Sequence, residues 1–214
     1  MNSPLLKAFA LTACSLSLSA ALLAQTQSIK ETERFVKNGD ATIKALDEAH
    51  LKTQAALDAY NALVNGNGES KSMKDDYKRL QKSEKTMLDA VADARKTIDD
   101  MDKQAAVYFS GRTTAIGQIQ DLSLRAQAKS RIDDSQKGYD EIKTTLRSAG
   151  DALTPFSKDL TDHISYLGAE LTPSAAASLK PQAVTLNAGG EKLFAQIAAA
   201  VATASKYFDG LRTQ

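Results

Sequence analysis

The chain has 214 residues, 27 Lys and Arg against 26 Asp and Glu, and a hydrophobic share of 43% without a single Trp. That length bounds it to about one sizeable domain, and the even charge excludes the basic excess with which nucleic-acid binders grip phosphates, so no nucleic-acid partner is expected. Ala supplies much of the apolar share, which suits a narrow helical bundle better than a thick globular core.

The N-terminus reads as an export signal. Lys7 precedes a mostly apolar run from Ala8 to Ala24, followed by polar Gln25-Thr26-Gln27. The expected division is a signal peptide over residues 1–24 and a single helical-bundle domain over 25–214. Thr12, Ser15, Ser17 and Ser19 make the run marginal as a membrane span, which needs about 20 strongly apolar residues. A second boundary stays open. Leu11-Thr12-Ala13-Cys14 has the form of a lipobox, which would make Cys14 the lipidated first residue. Against it, only six residues separate Lys7 from Cys14, and an apolar stretch would be left behind. An uncleaved anchor is the third alternative. In every case one Cys or none remains, so disulfides have no part in stability.

The first helix is expected from Ser28 to about Val64, with a seven-residue stripe Ile29, Val36, Ile43, His50, Leu57, Val64. Asn65-Gly66-Asn67-Gly68 breaks it, and Ser70 is placed to cap the next helix. The second helix runs to about Gln120 on Met73, Leu80, Met87, Ala94, Met101, Tyr108, Ala115 and Leu122. Met73, Met87 and Met101 read as gap-filling core. Asp121-Leu122-Ser123 is the expected turn. The third helix carries Ile132, Tyr139, Leu146, Leu153, Leu160 and Leu167 through Pro155, where a kink is expected, and ends near Ala169. Pro173 suits the first turn of the fourth helix and Pro181 should bend or restart it. Its stripe is Leu179, Leu186, Leu193, Ala200 and Tyr207.

Short connections make successive helices antiparallel. The expected fold is all-α: an elongated, antiparallel, four-helix, coiled-coil-like bundle. The middle helices are longer than the outer two and should continue as a two-helix hairpin around residues 108–135.

Chemical motifs are sparse. There is no phosphate-binding Gly loop ending in Lys-Ser/Thr, no CxxC and no HExxH. His50 and His163 both fall on seams. Counted along the helices, they come near the level of Glu84, with Asn187 close by. A polar layer fixing register is the first reading; a His50-Glu84-His163 metal site is the sharper one. Di-metal bundles use a Glu-x-x-His pattern that is missing here. Lys71, Lys74, Lys78, Arg79, Lys82 and Lys85 form a basic start to the second helix, read as a solvated face or a docking patch for an anionic surface.

The order Phe35-Val36-Lys37-Asn38-Gly39-Asp40, then Ala55-Ala56-Leu57-Asp58-Ala59-Tyr60, resembles the opening helix of a bacterial envelope family. Thr154-Pro155-Phe156, with Asp162-His163-Ile164-Ser165-Tyr166-Leu167, Leu171-Thr172 and Ala176-Ala177-Ser178-Leu179, is similar to its most recognisable segment. This is domain of unknown function family 2959, and the resemblance covers about residues 33–212. The chain departs from its more charged opening and its Trp-containing second helix. The resemblance implies an exported, often lipid-attached, all-helical protein and offers no catalytic residues.

The expected function is that of a non-enzymatic, exported scaffold or interaction protein, periplasmic or envelope-associated, without cofactors. Its partner would be an envelope protein or a membrane surface, and homo-oligomers are open. Two alternatives stand beside it: reversible lipid binding through opened seams, and weak metal binding at the histidines.

Overall fold

The structure is a computed structural model that describes residues 12–66 and 70–213, with side chains from Ser28 to Gly66 and from Ser72 to Thr213. The expected signal residues 1–11 lie outside the described part, as does the side chain of Cys14. Five helices follow one another: α1 (Thr12–Val64), α2 (Ser70–Gly117), α3 (Leu122–Ala169), α4 (Pro173–Ser178) and α5 (Lys180–Arg212). No strand occurs among the described residues. None of the helices is long and apolar enough to cross a membrane, among the described residues.

α1 packs on α2, α2 on α3, α3 on α5, and α5 closes back on α1, while α1 and α3 barely meet across the diagonal. This is the up-down-up-down square that short connections dictate. The α1–α2 seam is the closest of the four. Ala45, Ala49 and Ala56 of α1 and Ala94 and Ala105 of α2 are buried there or nearby, and small side chains let the two backbones approach.

The stripes expected for α2 and α3 are buried as far as Tyr108 and from Ile132 onward. On α1 half of the expected stripe is buried, Val36, Leu57 and Val64, and the seam is centred on the residue before each. Its centre is Phe35, Thr42, Ala49, Ala56 and Leu63, alternating with Leu46, Thr53 and Tyr60. Ile29 is exposed, and Ile43 and His50 are only half-buried. Thr42 and Thr53 can lie inside because their hydroxyls donate back to helix carbonyls, Thr53 to Ala49 at 2.6 Å and Thr42 to Asn38 at 3.0 Å. A similar correction applies on α5, where Phe208 fills the core and Tyr207 flanks it.

Helix ends follow local chemistry. α2 stops at Gly117, three residues before the expected Gln120, and Asp121 caps α3 by accepting from the backbone N–H groups of Ser123 (2.8 Å) and Leu124 (2.9 Å). α3 runs through Pro155 to Ala169 as one helix. Thr172 caps α4, accepting from Ala175 N–H at 3.1 Å, and Pro173 occupies the first turn. The chain restarts as α5 with Pro181 in its first turn.

α5 ends where Arg212 pairs with Asp40 and Asp209. The α2–α3 hairpin continues past that point, as the helix lengths predict. It is not alone there: α1, at 53 residues, is longer than expected. Its Ser28 Oγ accepts from Arg112 of α2 at 3.0 Å.

Candidate functional site

Three interior features could hold chemistry. The first lies toward the α1–α2 loop. The Tyr60 hydroxyl and His163 Nδ1 stand 2.9 Å apart, joining α1 to α3. Beside them the Asn61 and Asn187 side-chain amides bond reciprocally, at 2.7 and 3.2 Å, joining α1 to α5. Burial pushes the Tyr60 phenol up to about 12, so it is neutral at neutral pH.

The expected His50-Glu84-His163 layer is not assembled. His163 meets Tyr60, whereas His50 stacks on Phe194 with ring centroids 4.6 Å apart. Glu84 is half-buried on α2. Among the described residues no group of three or more His, Cys, Asp or Glu is placed to hold a metal ion. Asn187 does enter a polar layer, with Asn61 as its partner. Sequence reasoning missed Tyr60 and Asn61. The one available signal was their place at the end of the first helix, opposite seam residues of the others.

The second feature is a charged node on α2 and α3. The Asp102 carboxylate accepts from the Tyr139 hydroxyl at 2.5 Å, is paired with Arg147, and lies 3.6 Å from Lys143 Nζ. Its side chain is 13% exposed. Burial by itself would raise the Asp102 carboxyl. The hydrogen bonds from Tyr139 and Arg147, with the charges of Arg147 and Lys143, outweigh it and hold the group below the usual carboxylate range. Tyr139 is pushed well above the ordinary phenol range, by burial first and by Asp102 second. Held by a phenol and two cations from α3, the Asp102 carboxylate ties α2 to α3, and the node reads as a clamp.

The third feature is an aromatic layer below the end of α5. Phe35 is its hub, stacked on Tyr108 at 4.9 Å and edge-on to Tyr139 and Phe208, both at 5.3 Å. Beyond this layer a groove of about 1110 Å³ follows the hairpin. Ala115, Ile116, Ile119 and Ile132 give it an apolar wall, and Arg112 and Arg131 flank it. The hairpin turn carries two exposed apolar side chains, Leu122 at 75% and Leu124 at 55% exposure. Arg125 Nε donates to the Ile119 carbonyl at 2.7 Å and so closes the end of α2.

The basic start of α2 is partly neutralised by its own helix. Lys78 faces Asp75 at 3.8 Å, Arg79 pairs with Asp76, and Lys85 with Asp89 at 2.9 Å. That pattern is a solvated helix face, stabilised by roughly 0.3–0.5 kcal/mol per pair at most.

Fold and interior together define an all-α antiparallel bundle in which Tyr60–His163, Asn61–Asn187 and Tyr139–Asp102 bond one helix to another. The family model described as protein of unknown function (DUF2959) matches residues 22–211, and the chain belongs to that family. No curated protein and no solved structure matches it.

Proposed function

We propose that the protein is a non-enzymatic, exported scaffold of the bacterial envelope, acting as a stiff spacer whose hairpin end meets a partner. One observation carries the reading: the α2–α3 hairpin runs past Arg212, where α5 ends, above a core that is filled to that level. At ~1.5 Å per residue, the 48 residues of α2 reach about 72 Å. Each interior polar cluster bonds helix to helix, which favours rigidity over turnover. Export rests on the apolar run Ala8 to Ala24, with release before Gln25 or lipidation of Cys14 as its two forms.

The alternatives have less support. Lipid binding through opened seams was motivated by the Lys-rich start of α2, which its own carboxylates partly neutralise. A metal layer needs His50, Glu84 and His163 together, and among the described residues no such group is placed to hold a metal ion.

Cell fractionation combined with mass spectrometry of the mature N-terminus tests the address. A cytoplasmic protein with Met1 intact would end the proposal. Photo-crosslinkers placed in living cells at Leu122 and at Val184 test the geometry. Envelope adducts concentrated at Leu122 are expected, and equal labelling at both ends would oppose the spacer reading.

A further inference from the structure

Charge along the chain is even overall, yet the hairpin end is not. From Lys103 to Ile132 the sequence holds five cations, Lys103, Arg112, Arg125, Lys129 and Arg131, and one acid, Asp121. That acid is committed to capping α3. Lys129 and Lys103 reach back to Asp133 (2.6 Å) and Asp100 (2.9 Å), so the carboxylates lie on the body side of the region. Asp121 stays ionised and exposed at the turn, and the cations behind Leu122 and Leu124 outnumber it.

A second feature converges on the same end. Ser28 of α1 is bonded to Arg112 of α2, and α1 continues from Ser28 back toward Thr12 in the direction of the hairpin turn. α1 thus extends beyond Ser28 at the hairpin end of the bundle, and the connection after Asn65 lies at the other. Exposed leucines backed by Arg and Lys match a bilayer interface, where apolar side chains enter the headgroup boundary and cations meet lipid phosphates.

We infer that the hairpin tip, with exposed Leu122 and Leu124 and with Arg125, Lys129 and Arg131 behind them, is a docking surface for a membrane of anionic phospholipid. The bundle stays closed in this mode, and its hairpin end meets the lipid. The inference deepens the envelope-spacer reading by assigning which end faces the lipid.

The absence of Trp from the chain provides a clean probe. Full chains carrying Leu124→Trp or, at the opposite end, Val184→Trp are mixed with brominated phosphatidylglycerol vesicles and with phosphatidylcholine vesicles. The expected result is a blue shift and quenching of Leu124→Trp on the anionic vesicles, with Val184→Trp unchanged. Neutralising two cations as Lys129→Gln/Arg131→Gln should weaken co-sedimentation about 10- to 30-fold, at about one headgroup-scale interaction per cation. Circular dichroism checks that this variant stays helical. An unresponsive Leu124→Trp, equal quenching at both positions, or undiminished partitioning of the folded neutralised variant overturns the inference. The last outcome would mean that the N-terminal run alone holds the chain. None of these failures touches the spacer reading, which fractionation and crosslinking decide.

Discussion

Tyr139 of α3 donates its hydroxyl hydrogen across 2.5 Å to Asp102 of α2, and Arg147, two turns further along α3, reaches the same carboxylate. Three side chains on two helices thereby set the axial register of the hairpin. A lowered carboxyl contributes stability that is present above its unfolded value, about 3.9, and is lost as pH falls through the lower folded value. Asp102→Asn should cost about 2 kcal/mol at neutral pH, typical of hydrogen bonds to a charged group. The gap to the wild type should close in acid, once Asp102 is protonated in both states. Urea unfolding at neutral and at acid pH checks this, and a gap independent of pH would disprove the clamp.

Two glycines give opposite expectations. A Cβ on Gly39 would sit well inside contact distance of the Phe208 ring, which is itself locked in the aromatic layer. Gly39→Ala gains up to ~1 kcal/mol of helix propensity, but overpacking costs about 1–3 kcal/mol. A net loss with a lowered Tm is expected. Gly210 has nothing within 4 Å of such a Cβ, so Gly210→Ala should raise stability by several tenths of a kcal/mol. Thermal melts of the two variants separate the cases.

The Asn61–Asn187 pair should behave as a coupled unit. Asn61→Leu leaves Asn187 without its partner and is expected to cost about 1–2 kcal/mol. Asn61→Leu/Asn187→Leu should recover most of that loss. A double-mutant cycle by urea titration reads the coupling directly, and additive losses would show that the amides act independently.

Alkaline pH addresses the buried phenols. Tyr60, Tyr139 and Tyr207 are all raised, chiefly by burial, Tyr60 to about 12. Their contribution is full below the unfolded value near 10 and is lost as pH rises through the folded values. The bundle should therefore weaken steeply above about pH 10. Tyr60→Phe should cost about 1 kcal/mol at neutral pH, through loss of the His163 contact, and should make the alkaline decline shallower. A decline unchanged by this substitution would assign the effect elsewhere.

Much of the architecture was legible along the chain. Met, Leu, Ile and Tyr at seven-residue spacing marked the buried faces of α2 and α3, and Pro173 and Pro181 marked where α4 and α5 begin. The phase of α1 was legible only in part, at Val36, Leu57 and Val64. Its seam uses Gly39, Thr42, Ala49, Thr53 and Ala56, residues that carry little apolar signal and are buried because they are small or bond to their own backbone. The expected polar layer was half right: His163 and Asn187 do reach the interior side of the bundle, but with Tyr60 and Asn61 as partners.

Sequence alone determined the helices, their order and their antiparallel course, because periodicity and loop length are local properties. The even charge balance follows likewise from composition alone. Tertiary structure decided who faces whom. Asp102 and Tyr139 are 37 positions apart, and Asn61 and Asn187 are 126 apart. Such pairings depend on how far each helix is rotated and slid against its neighbours. A single helix does not encode that choice; it is settled only when four side-chain surfaces are packed together.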